Sequence, residues 1–147
     1  DSVLIIGPPG SGKTTFLRDL IRQYSDLESV AVVDERQELF PQFNGTYSFL
    51  TGKRTDILSG CNKTDGIEMV LRTMGPKTIA VDEITAREDC MALKAAQWCG
   101  VRLLATAHAS DKSDLMSREI YRDLATSGIF KTLVVLRQDK SWYTERM

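Results

Sequence analysis

Val3-Leu-Ile-Ile-Gly-Pro-Pro-Gly-Ser-Gly-Lys-Thr14 is the stretch from which the rest of the chain can be read. Gly7 to Thr14 fits the spacing G-x-x-x-x-G-K-[ST], a loop that grips phosphate groups. Val3 to Ile6 ahead of it is an all-apolar run that reads as a buried parallel strand. Behind it, Phe16, Leu17, Leu20, Ile21 and Tyr24 recur with helical period, so a helix is expected from Lys13 to Tyr24. Gly10 and Gly12 let backbone N–H groups turn inward around anionic oxygens, and the helix adds its positive dipole end. Lys13 is then placed for the β- and γ-phosphates, Thr14 for Mg²⁺ and Thr15 for the α-phosphate. Gly7, Pro8, Pro9, Gly10, Ser11, Gly12, Lys13, Thr14 and Thr15 form the expected nucleotide-binding set, extended by Asp34 after the second strand.

Outward from this loop, the chain alternates strands and helices. Val30 to Val33, Thr78 to Val81, Val101 to Thr106 and Thr132 to Leu136 read as further strands, with Ser141 to Thr144 returning on the last as a hairpin. Asp89 to Cys99 reads as a helix stopped by Gly100, and Met116, Ile120 and Leu124 mark one face of another, closed by Gly128. Arg36 to Lys63 reads as turns and short strands, a connection long enough to be functional or mobile. The pattern is that of an α/β domain with a mainly parallel sheet and helices on both faces. In such sheets ligands bind at the carboxyl ends of the strands. Gly7, Asp34/Glu35, Asp82/Glu83 and His108 all fall at those ends.

The bulk numbers agree with one domain spanning 1–147. The 147 residues are 42% hydrophobic and 27% charged, enough for a real core. A net charge of −1 supplies no global basic field, so nucleic acid is not an expected partner. There is no run of 18 apolar residues and no signal peptide. Cys61, Cys90 and Cys99 are odd in number without C-x-x-C spacing, which points to reduced thiols in a cytosolic protein. The chain starts at Asp1 with a strand at Val3 and is read as the C-terminal part of a longer protein whose N-terminal domain is absent.

Asp82 and Glu83 follow the apolar Ile79-Ala80-Val81. An acid at this strand end holds the water shell of Mg²⁺, as the Walker B Asp does in P-loop NTPases. The second carboxylate is placed to act as general base on the attacking water. Asp34, Glu35 and Glu38 are a further acidic cluster, and the choice of base between Glu83 and Glu35 stays open. His108, the only histidine, is placed to hydrogen-bond the γ-phosphate and report hydrolysis. Transition-state cations are available in Arg36, Lys53, Arg54, Arg72, Arg87 and Arg137, but spacing does not choose among them. Trp98 and Trp142 read as packing residues rather than base-stacking platforms.

These strand-end motifs, in this order, resemble the type II/type IV secretion ATPases, a RecA-like family of ring motors, over nearly the whole chain. Val33-Asp-Glu-Arg-Gln-Glu-Leu39 is similar to that family's acidic box. Leu71-Arg-Thr-Met-Gly-Pro76, Asp82-Glu83-Ile84 and Glu88 resemble its L-R-x-x-P…G-E-I-R-x-x-E region, and Gly100 to His108 its histidine box. Asp82 departs from a position that is often Gly, and Thr85 stands where an Arg is expected, which leaves an Arg contact in doubt although Arg87 lies nearby. Val32 to Glu38, Arg54 to Leu58, Val81 to Ile84, Arg87 to Asp89, Arg102 and Ala107 to Ser110 resemble a sporulation branch of the superfamily. The resemblance implies an ATP- and Mg²⁺-dependent ATPase working as a hexameric ring. It would sit at the inner, cytoplasmic face of a membrane, against embedded channel proteins of a secretion-like complex in endospore formation. It also implies Arg residues supplied by other domains or subunits, so this domain alone would turn over slowly. Other readings of the same loop are a small-molecule or nucleotide kinase, a nucleic-acid-stimulated ATPase, and a nucleotide-gated scaffold. ATP over GTP is inferred because no N-K-x-D guanine-reading motif is present.

Overall fold

The structure is a computed structural model that describes residues 1–147. The apolar runs that alternate with helices in the sequence become the inner strands of one sheet. In chain order the elements are β1 (Val3–Gly7), α1 (Lys13–Ser25), β2 (Val30–Asp34), β3 (Gln42–Phe43), β4 (Thr46–Tyr47), β5 (Thr55–Ser59) and α2 (Lys63–Thr73). They continue with β6 (Thr78–Ile84), α3 (Arg87–Trp98), β7 (Arg102–His108), α4 (Lys112–Ser117), α5 (Glu119–Thr126), β8 (Thr132–Leu136) and β9 (Trp142–Arg146). The seven-stranded sheet runs β5-β2-β6-β7-β1-β8-β9, and a separate two-stranded ribbon pairs β3 with β4. Every pairing in the large sheet is parallel except β8 with β9 at the edge.

Strand residues point alternately to opposite faces, and the continuous apolar runs are needed because both faces are covered. Leu4, Ile6, Val33, Ile79, Val81, Leu103 and Val135 pack with Ile67 and Val70 of α2, Leu93 of α3 and Leu124 of α5. Val3, Ile5, Val32, Leu104 and Val134 pack on the other side with Leu17 and Ile21 of α1 and with Leu39 and Phe40 from the loop after β2. The mainly parallel α/β fold with helices on both faces is therefore present.

Three local features differ from the sequence expectation. The stretch after Arg36 holds a full edge strand, β5, in register with β2, and leads straight into α2, which Asn62 caps by accepting a hydrogen bond from Asp65 N at 2.8 Å. The helix expected through Met116, Ile120 and Leu124 is two helices, because Arg118 takes an extended conformation between α4 and α5. Trp98, expected in the core, ends α3 with 85% of its surface exposed.

Candidate nucleotide site

The register of the sheet sets the site. Gly7 lies beside His108 on β7, Val33 beside Val81, and Ile84 beside Ala107, so the four polar strand ends share one edge. Gly10 and Gly12 have φ of +77° and +98°, a left-handed backbone that only glycine adopts without strain. That turn leads directly into α1, whose first turn has no side-chain cap and no acidic residue, leaving its positive end for an anion. A Cβ on Gly7 would lie 2.9 Å from Leu136 O, so the loop's first glycine lets β8 approach.

Lys13 Nζ folds back over the loop and donates to Gly7 O at 2.9 Å and Pro8 O at 3.1 Å. Partial burial lowers its pKa, against the opposing pull of Glu83 and Asp82. Ser11 Oγ is buried without a hydrogen-bond partner.

The two acids of β6 are held by a short chain of hydrogen bonds. Thr14 Oγ1 donates to Asp82 Oδ2 at 3.1 Å, and Thr106 Oγ1 donates to Asp82 Oδ1 at 2.7 Å. The same Thr106 hydroxyl accepts from Glu83 N at 2.7 Å. Glu83 has φ of +47° at an irregularity in the β6–β7 ladder between Val81 and Ile84. A non-glycine residue there is strained, at a cost of about 1–3 kcal/mol, and such strain is characteristic of sites where a side chain must be aimed. Tyr121 Oη of α5 braces the bulge from behind by donating to Ile84 O at 2.6 Å. Glu83 Oε2 pairs with Arg36 Nη2 at 2.8 Å. Lys13, Thr14, Asp82, Glu83, Thr106 and His108 all line one cavity of about 340 Å³ over the loop.

Asp34 is placed differently. The expectation puts it at the nucleotide; here it is 1% exposed and its carboxylate accepts from Leu39 N at 3.2 Å and Phe40 N at 2.9 Å. It anchors the loop that carries Leu39 and Phe40 into the core and is absent from the lining of the loop cavity. Asp34→Ala would leave both N–H groups buried and unpaired. The expected loss is about 2–3 kcal/mol, read as a lower denaturant midpoint with an unchanged slope. Glu35 is also off the loop cavity: its Oε1 accepts from Lys63 Nζ at 2.9 Å, and the Lys63 side chain is 5% exposed. The hydrogen bond to Lys63 holds the Glu35 carboxyl below its usual range. Glu38 leaves its backbone carbonyl to Arg18 Nη2 at 3.1 Å.

Among the candidate cations, Arg36 reaches a site carboxylate. Arg54 is bound to Ser25 O and Asp26 O, Arg87 to Glu119, and Arg137 to Ser141. The cation that sequence reasoning missed is Lys140, in the β8–β9 turn. Its Nζ donates to Gly10 O, and neighbouring Gln138 Nε2 donates to Pro9 O at 3.2 Å. The hairpin turn thus latches the phosphate loop, and Lys140 lines the cavity with Lys13. Thr106 was also missed, although a hydroxyl inside the apolar run Leu103-Leu-Ala-Thr-Ala107 was a visible signal.

This donor set fits a nucleotide with Mg²⁺. Inward glycine turns, an uncapped helix end, two lysines and an unpartnered buried hydroxyl suit polyphosphate, and the Thr14–Asp82 pair suits an octahedral ion that keeps several waters. No group of three or more His, Cys, Asp or Glu side chains is placed to hold a metal alone.

Residues 1–144 match the family described as "Sporulation stage III, protein AA". The chain is 38% identical over 145 residues to Stage III sporulation protein AA of Bacillus subtilis, covering 95% of this chain and 47% of that protein. Among solved structures it resembles the ATPase DotB of Legionella pneumophila, at 20% identity and a TM-score of 0.60 over 99% of this chain and 44% of that one. It also resembles the VirB11 ATPase of the Brucella suis type IV secretion system, at 14% identity and a TM-score of 0.67 over 99% and 48%. The last two likenesses show a fold shared with these two ATPases. No helix is long and apolar enough to cross a membrane. The chain belongs to the sporulation stage III protein AA family.

Proposed function

We propose that this member of the sporulation stage III protein AA family is the ATPase domain of a ring motor that hydrolyses ATP with Mg²⁺ to drive a secretion-like machine in endospore formation. The observation that carries the reading is the hydrogen-bonded chain Thr14–Asp82–Thr106–Glu83 beside Lys13. It gathers a phosphate cation, a metal-ligand hydroxyl, a metal-shell acid and a poised carboxylate around one cavity.

Each residue has a distinct task. Lys13 exchanges the Gly7 and Pro8 carbonyls for phosphate oxygens, and the loop N–H groups orient the chain of phosphates. Thr14 and, through water, Asp82 would hold Mg²⁺, which supplies charge neutralisation on the phosphate oxygens. Glu83 takes the proton of the attacking water. Glu35 is the poorer base: Lys63 holds it ionised with a lowered pKa, and of the two carboxylates that share the small cleft beside Arg36 only Glu83 also lines the phosphate cavity. His108, at the end of β7 next to Gly7, is positioned to contact the γ-phosphate and pass its loss into the strand. Arg36, half exposed, can leave Glu83 as phosphate arrives. Ring assembly, the channel partners and a site at the inner membrane face are what the motif resemblance to the type II/type IV secretion ATPases implies, and the fold shared with the VirB11 ATPase supports it. The sporulation setting is carried over from the Bacillus subtilis relative.

The test is release of free inorganic phosphate from ATP, with Mg²⁺ or with a chelator. Mg²⁺-dependent release is the expected result, slow for this domain and faster with the rest of the chain present. Phosphate transferred to an added nucleoside monophosphate, with none released, would replace the motor by a kinase.

A further inference from the structure

Beside the phosphate cavity, on the other flank of the loop, lies a second one of about 810 Å³ between α1 and the β8–β9 hairpin. The two adjoin, since Gly12, Thr15 and Lys140 line both. The second has an aromatic wall: Phe16 and Trp142 meet edge to face with ring centroids 5.2 Å apart. Trp142 is nevertheless 54% exposed, so much of its indole has no protein partner. Thr15, Asp19 and Gln23 stand at successive helical turns along the cavity, with Leu20 between them. From Thr15 to Gln23 the helix rises about 12 Å, room for a ribose and a base in series.

We propose that this groove is the nucleobase subsite of the bound nucleotide, with Trp142 as the stacking platform and Asp19 and Gln23 at the polar edge of the base. This rests on the reading of the Gly7–Thr14 loop as a nucleotide site and adds where the rest of the nucleotide goes. The occupant follows from adjacency: any nucleoside attached to phosphates at Lys13 and Thr15 must leave the loop, and this aromatic groove is walled by Thr15 and Gly12 of the same loop. The hairpin then has two jobs, since its turn latches the loop through Lys140 and Gln138 while Trp142, the first residue of β9, holds the base. The expectation that Trp142 is a packing residue is accordingly incomplete.

The test compares ATP with inorganic tripolyphosphate, which has the charges and no base. Base stacking on an aromatic side chain accounts for roughly a 5- to 150-fold effect per base. Trp142→Ala is expected to weaken ATP binding within that range and leave tripolyphosphate binding unchanged, with Trp142→Phe keeping most of the affinity. In a Trp98→Phe background, where Trp142 is the sole tryptophan, ATP should alter the indole emission and tripolyphosphate should not. Equal weakening of both ligands would show that Trp142 acts only by holding the loop, and unchanged ATP binding would place the base elsewhere. Either result overturns the assignment. Failure of the unaltered protein to bind either ligand would overturn the nucleotide reading itself, and this assignment with it.

Discussion

Glu83→Gln is expected to cut the single-turnover rate of ATP hydrolysis about 10²- to 10⁴-fold while changing ATP affinity only a few-fold, because it removes a proton acceptor and little else. The amide is the same size as the carboxylate. It keeps the backbone N–H that donates to Thr106 Oγ1 and the strained φ of +47° that aims the side chain. It also keeps an oxygen for Arg36, and that pair, half exposed on the arginine side, adds little stability. Glu35→Gln is the control that separates the two carboxylates. Lys63 loses its charge partner there while remaining 5% exposed, so that variant should lose stability and leave the chemical step of the folded protein intact. Unchanged hydrolysis in Glu83→Gln, or a drop confined to Glu35→Gln, would overturn the choice of base.

What the sequence showed plainly was whatever depends on local pattern. The parallel strands read as apolar runs because both faces of the sheet are covered, and the Gly7–Thr14 loop read as a phosphate grip because its glycine spacing has few other uses. What it hid depends on distance along the chain. The helix over Lys63–Thr73 has a glycine at its second buried position, Gly66, where a Cβ would meet Val33 Cγ1 of β2 at 2.5 Å and Cys61 Sγ at 2.9 Å. The glycine lowers its propensity, and beyond the Asn62 cap it is packing against β2 that favours it. The break at Arg118 has no Pro or Gly to announce it. Asp34 and Asp82 look alike as acids closing apolar strands, yet one is turned to Leu39 and Phe40 N–H groups and the other to Thr14 and Thr106 hydroxyls. Only the loop geometry after each strand separates those roles. Lys140, latched to Gly10, lies at the other end of the chain from its partner and carries no motif.

Lys13→Met should show the largest effect on binding, with a sign on stability that separates a ligand-binding lysine from a structural one. Truncating one partner of a hydrogen-bonded charge pair costs 2–5 kcal/mol, so ATP affinity should fall about 30-fold or more, and turnover with it. Stability should go the other way. Burial lowers the Lys13 pKa in the folded protein below its value in the unfolded chain. The unfolded state therefore binds the proton more tightly, and charged Lys13 costs stability at every pH below the folded pKa, a cost relieved as pH rises through that value. Near neutral pH the methionine variant should thus unfold at the same temperature as the unaltered protein or higher, despite losing the contacts to Gly7 O and Pro8 O. At a fixed concentration, added ATP and Mg²⁺ should raise the midpoint of the unaltered protein by more than that of the variant, because the shift follows the affinity of the folded state for the ligand. For the unaltered protein, ATP affinity should weaken as pH climbs toward the lowered Lys13 pKa, where the ammonium begins to lose its proton; in the variant that slope should vanish. A variant that melts several degrees lower with ATP binding preserved would make Lys13 a brace for the loop and remove the phosphate cation on which the hydrolysis reading depends.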